Sequence, residues 1–238
     1  MSSQTIRINF DHYRMFFIIV PALLFQFVGS IFYFVIVKDP MVAKTIYTVL
    51  KMLMIVWPIF FVFLLKKISF ATVGFSHRML SLVYGGLIGL IIFIATYFLS
   101  DLIVERLFFA APFVKIKAEE VGIFLHNYVL FAFFLSTFNA FFEEYYWRWF
   151  VMRSLATAFS PVRSIVISAF AFSAHHVVVL SQFFPFLWTA LFGFLVFVGG
   201  ILFGLIYQKT HSLVGSVLCH FAADAALLFI GYKLLFFY

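Results

Sequence analysis

From Ser164 to Gln208 the chain carries no Lys, Arg, Asp or Glu. A helix needs about 20 apolar residues to cross the hydrocarbon core of a bilayer, so this run is long enough for two crossings. The stretch Ser181–Pro185 provides the turn between them. Five further apolar runs follow the same rule. Met15–Val37 lies between Arg14 and Lys38, and Met79–Ser100 between Arg78 and Asp101. Thr45–Leu65 is interrupted by Lys51 and Pro58 and closed by Lys66-Lys67. Val121–Phe142 follows a charge-dense loop, Asp101 to Glu120, and the last run extends from Ser212 to Leu235. Only helices or closed barrels satisfy their backbone in lipid, and runs of this length are helical. The expected fold is all-α: a polytopic transmembrane helical bundle of about seven spans.

Composition excludes the competing classes. Hydrophobic residues make up 66% of the chain and charged ones 11%, against roughly 25% charged in a soluble domain. The net charge of +7 is spread over short loops between spans, with no basic stripe to follow a phosphate backbone, so nucleic acid is excluded as a partner. Basic residues at span ends instead report orientation. Alternating the loops from a cytoplasmic N-terminus puts nine Lys and Arg inside and seven outside, which favours that orientation. Cys219 is the one cysteine, which rules out an intrachain disulfide and a cysteine metal cluster. The N-terminal run is too long for a signal-peptide core and lacks an A-x-A cleavage site, so it is read as a retained anchor.

Three strings inside the apolar runs carry the chemistry: Glu143-Glu144-Tyr145-Tyr146-Trp147-Arg148, Phe172-Ser173-Ala174-His175-His176, and His220-Phe221-Ala222-Ala223-Asp224. An ionisable side chain near the centre of a membrane helix costs about 2.5–3.5 kcal/mol even on the lenient insertion scale. Glu143, Glu144, Arg148 and Asp224, left alone, would together cost on the order of 10 kcal/mol, as much as the whole stability of a typical domain. They must face one another, and the polar site falls within the last four spans.

Spacing supports convergence. Glu144 and Arg148 are four apart and share a helix face, as do His220 and Asp224, and Phe172 and His176. With Arg153, Arg163 and Lys209 marking one membrane interface, Glu143 lies ~15 Å inward, His176 ~20 Å, His220 ~17 Å and Asp224 ~22 Å, at the helical rise per residue. Each pair alone has an ordinary reading: a self-neutralising Glu–Arg pair, or a histidine used for packing. Ordered together in one thin slab, they read as a site. Asn139, one turn before Glu143, could orient that carboxylate or simply pack. His126 and Asn127 read as interfacial and His211 as a loop surface residue, and no base is placed beside Ser173 for a Ser-His arrangement.

The three strings, in this order, resemble the signature of the CPBP family of CAAX proteases and bacteriocin-processing (Abi-type) intramembrane peptidases: E-E-x-x-x-R, then F-x-x-x-H, then H-x-x-x-N or H-x-x-x-D. The resemblance divides the chain into variable N-terminal spans, residues 1–120, and a catalytic core, residues 121–238. It implies an intramembrane endopeptidase that hydrolyses a membrane-associated peptide or protein such as a prenylated CAAX protein, a pheromone precursor or a bacteriocin leader. Glu143 would act as general base on a water held by His176, and His220, oriented by Asp224, would stabilise the oxyanion. Glu144, Arg148 and Phe172 would support them. No cofactor is favoured; a Zn²⁺ alternative would use His176, His220 and Glu143, although H-E-x-x-H is absent. A multi-pass protein of the plasma membrane is expected. The rival readings are a proton- or ion-coupled transporter, whose paired broken helices are not seen, and a non-catalytic immunity or partner protein.

Overall fold

The computed structural model describes residues 12–65, 75–120 and 122–237. Every regular element among these is helical. Helix α1 (His12–Ile31) ends in a π-helical turn, Phe32–Ile36, and α2 spans Pro40–Leu65. Helix α3 (Phe75–Leu107) passes through a 3-10 turn, Phe108–Ala110, into α4 (Ala111–Glu120). Next come α5 (Leu125–Leu155), α6 (Pro161–Leu180), α7 (Phe186–Thr210) and α8 (Leu213–Phe236). Among the described residues, seven helical stretches are long and apolar enough to cross a membrane, as the hydropathy runs require.

Helix starts follow local chemistry. Asp39 stands before Pro40, and its Oδ1 accepts from the Met41 and Val42 amides at 2.8 and 2.9 Å, giving α2 an acidic N-cap with proline in the first turn. Ser160-Pro161 opens α6 in the same order. His211 closes α7 in the left-handed region, with φ 51°, and Ser212 then caps α8 by accepting from the Val214 amide.

Two expected boundaries move. The segment Asp101 to Glu120 is not a loop: α3 runs through Asp101 to Leu107, and α4 carries the rest. The Lys233 ammonium on α8 donates to Ser100 at 3.0 Å and pairs with Asp101, so the charge that marked a boundary is neutralised between helices. The fourth span likewise continues past Phe142 to Leu155. Its charged residues are buried and paired, which a hydropathy run cannot register. The closing pair Lys66-Lys67 lies outside the described residues.

Small residues set the closest helix contact. Any Cβ at Gly85 of α3 would collide with the backbone of Gly215 on α8, and a Cβ at Gly215 would collide with Ser81. The Ser81 hydroxyl accepts from the Gly215 amide at 2.8 Å and from Thr210 at 3.1 Å. Lipid tails are as apolar as the helices, so such close packing and interhelical hydrogen bonds carry the association. Helices α6 and α7 repeat the device, with Gly200 against Ala169 and Gly204 against Ile165. The main core joins Ile18, Ile19 and Ala22 of α1, Met54 of α2, Tyr146 to Phe150 of α5, and Phe172 of α6. Phe98, Phe186 and Leu187 are among many large apolar side chains left on the outer surface, where lipid replaces water.

Candidate active site

Helix α5 supplies the acidic pair. A short regular stretch, Ala140–Glu144, lies between two π-helical segments, Leu135–Asn139 and Tyr145–Met152. Interruptions of this kind are frequent at functional sites. Glu143 and Glu144 are both buried, and they face different partners.

Glu144 is the structural carboxylate. Its Oε1 lies 2.9 Å from Arg148 Nη1 and accepts from His220 Nδ1 at 2.9 Å. Arg148, 1% exposed, donates through Nη2 to the Gly200 carbonyl of α7 at 3.1 Å. Its guanidinium sits between the rings of Phe172 and Phe203, 4.7 and 5.1 Å from their centroids. One buried pair thereby ties α5, α6, α7 and α8 together. Breaking such a pair costs about 3–5 kcal/mol because the surviving charge stays buried and unmatched.

Glu143 faces the interior chemistry. Its Oε2 is 3.8 Å from His220 Nε2 and has no hydrogen-bond donor among the described residues. Asp224 Oδ1 stands 3.6 Å from the same His220 nitrogen. His176 uses Nδ1 on the Phe172 carbonyl at 2.9 Å, one turn back on α6, which leaves Nε2 for the site. Nitrogen donors of His175 and His176 and a Glu143 oxygen lie within 4.8 Å of one another.

The structure therefore brings together all seven residues named from the sequence: Glu143, His176, His220, Asp224, Glu144, Arg148 and Phe172. Phe172 is the hub, with its ring centroid 4.6 Å from His176 and 5.8 Å from His220. The hydrogen bond that orients His220 comes from Glu144, whereas Asp224 flanks its other nitrogen. The donor group also differs from the expected one, because His175 joins Glu143 and His176 where His220 was anticipated. The His175 ring stacks on Trp147 at 5.9 Å, and its buried Nδ1 has no hydrogen-bond partner among the described residues.

The remaining polar candidates have other occupations. Ser173 donates to the Gly193 carbonyl at 2.6 Å, across to α7 rather than to a histidine. Asn127 accepts from the Phe124 amide at 2.7 Å and caps α5, while His126 and His211 are exposed. Cys219 is a buried free thiol.

One residue beside the site was given no partner from sequence. Lys51, read as an interruption of the second span, stands inside α2, and its Nζ donates to Asn139 Oδ1 at 2.6 Å and lies 3.8 Å from Glu143 Oε1. The signal was present: a lysine in an apolar span calls for a named partner.

Residues 125–226 match the family described as Type II CAAX prenyl endopeptidase Rce1-like. No curated protein and no solved structure matches the chain.

Proposed function

We propose that the chain is an intramembrane endopeptidase in which Glu143 is the general base, a reading supported by the match of residues 125–226 to the family described as Type II CAAX prenyl endopeptidase Rce1-like. The observation that carries this reading is the Glu143 carboxylate itself. It is buried, one oxygen lacks a donor among the described residues, and His175, His176 and His220 surround it. A general base must reach the proton it abstracts directly or through one water, and a Glu143 oxygen and a His176 ring nitrogen within 4.8 Å of each other are close enough for one water to bridge them.

In this mechanism Glu143 takes a proton from the water as its oxygen attacks the scissile carbonyl. Electrons move to the carbonyl oxygen. His220, as imidazolium, donates to Glu144 from Nδ1 and to the oxyanion from Nε2, with Asp224 holding its charge. Collapse breaks the C–N bond, and the proton on Glu143 passes to the leaving amine. Glu144, Arg148 and Phe172 keep the donor rings in place without meeting the substrate. The substrate is a membrane-anchored peptide or protein, and residues 121–238 form the catalytic core.

A divalent cation also fits. Glu143, His175 and His176 form a two-histidine, one-carboxylate donor set of the kind that binds catalytic zinc. A bound cation would act as Lewis acid toward a carbonyl or water. In the metal-free reading the same side chains act as base and water holders. The transporter alternative is not favoured by the family match.

The protein sits in the plasma membrane with a cytoplasmic N-terminus in this reading.

The test is cleavage of membrane-anchored peptides by the purified chain and by Glu143→Gln, with and without chelator. Cleavage abolished in the variant and indifferent to chelator supports the glutamate base. Chelator loss restored by Zn²⁺ moves the assignment to the cation, and cleavage retained in Glu143→Gln refutes both.

A further inference from the structure

Lys51 belongs to α2, in the half of the chain outside the family match. Leu50, Met52, Met54 and Ile55 beside it on the helix are apolar, yet its ammonium reaches α5. One proton goes to Asn139 Oδ1 at 2.6 Å, and the charge lies 3.8 Å from Glu143 Oε1. Asn139 and Glu143 are one turn apart on α5 across the end of a π-helical segment, so a single ammonium fixes both. Arg148 is committed to Glu144 and His220 approaches Oε2 of Glu143, so among the described residues Lys51 is the cation beside Oε1.

We infer that Lys51 is a positioning residue for Glu143: anchored by Asn139, it holds Oε1 and thereby aims Oε2 at the space facing His220. This rests on the endopeptidase reading. A competing role, binding the charged C-terminus of a leaving peptide, does not fit the distances. A peptide extends about 3.3–3.6 Å per residue beyond its scissile bond, whereas Lys51 stands within 4 Å of the base. An ammonium there acts on the carboxylate, and the N-terminal spans complete the site.

The experiment compares the full chain with Lys51→Met, Lys51→Arg and Asn139→Ala in steady-state cleavage. Loss of a positioning contact costs kcat, about 10- to 100-fold for Lys51→Met, with KM within about twofold. Lys51→Arg keeps the charge and recovers most of that loss. Asn139→Ala, which alters no charge, lowers kcat about 3- to 10-fold and covers the case in which Lys51→Met fails to fold. Unchanged kcat in folded Lys51→Met and in Asn139→Ala, or an effect confined to KM, overturns the assignment. If the wild-type chain cleaves nothing, the endopeptidase reading falls separately. The contact is then read by infrared spectroscopy, from the carboxylate band that Glu143→Gln removes. A shift of that band in Lys51→Met or Asn139→Ala sustains the placement, and an unmoved band overturns it.

Discussion

His220 donates from Nδ1 to Glu144 at 2.9 Å, and that bond leaves Nε2 between Glu143 and Asp224. The second glutamate of the Glu143-Glu144 pair therefore controls what the first one faces. Glu144 is also the counter-charge of Arg148, so one oxygen serves orientation and neutralisation together.

Replacing Glu144 separates these roles. Glu144→Ala strands Arg148 in an apolar environment and is expected to destabilise the bundle by about 3–5 kcal/mol. Glu144→Gln retains an oxygen that can accept from His220 and has the smaller effect on folding. Thermal unfolding in detergent ranks the two against the wild type, and wild-type melting temperatures in both would show that the Glu144–Arg148 pair contributes little.

His175 discriminates between the two chemistries of the site. If Glu143 acts directly on water, the His175 ring is a packing surface on Trp147. His175→Phe then keeps activity within about tenfold, because the base and oxyanion donor are intact. If His175 is a metal ligand, the substitution removes one of three donors and lowers zinc content along with activity. Elemental analysis beside the cleavage assay reads both. Tight stoichiometric zinc lost in His175→Phe contradicts the metal-free mechanism.

The seven spans were legible because the bilayer imposes its thickness on hydropathy. Glu144–Arg148 and His220–Asp224 were legible because side chains four apart share a helical face. The partners that cross between helices were not. Asp224 is next to His220 along α8, and the sequence favoured it as orienter, yet Glu144 on α5 reaches the Nδ1 proton. Lys51 looked like an interruption of α2 because hydropathy measures its charge and not its neighbour, Asn139 on α5. The end of α5 was missed for the same reason: a paired, buried charge continues a helix through the bundle, while hydropathy scores it as an exit.

Two adjacent glycines on α3 differ sharply in surroundings. Gly85→Ala drives a methyl into the Gly215 backbone, which cannot yield as a side chain would. The expected cost is about 1–3 kcal/mol or more, as for overpacking in a core. Gly86→Ala meets only Leu218, at 3.6 Å, and gains up to about 1 kcal/mol from helix propensity. Melting temperatures of the pair should move in opposite directions. A common direction would show that α3 and α8 are not held at the distance seen here.

Arg148 provides the sharpest test of geometry against charge. Lysine at this position keeps the positive charge facing Glu144 but loses the planar guanidinium that lies between Phe172 and Phe203. It also cannot reach the Glu144 carboxylate and the Gly200 carbonyl with the same fixed fork. Desolvated stacking of a cation on a ring contributes about 2 kcal/mol, so Arg148→Lys is expected to lose at least that much stability. Cleavage falls with it, because Phe172 also packs against His176 and His220. If charge alone holds the site, Arg148→Lys unfolds at the wild-type temperature and Arg148→Met does not. If the plane of the guanidinium holds it, both variants lose stability and lysine rescues little of the loss.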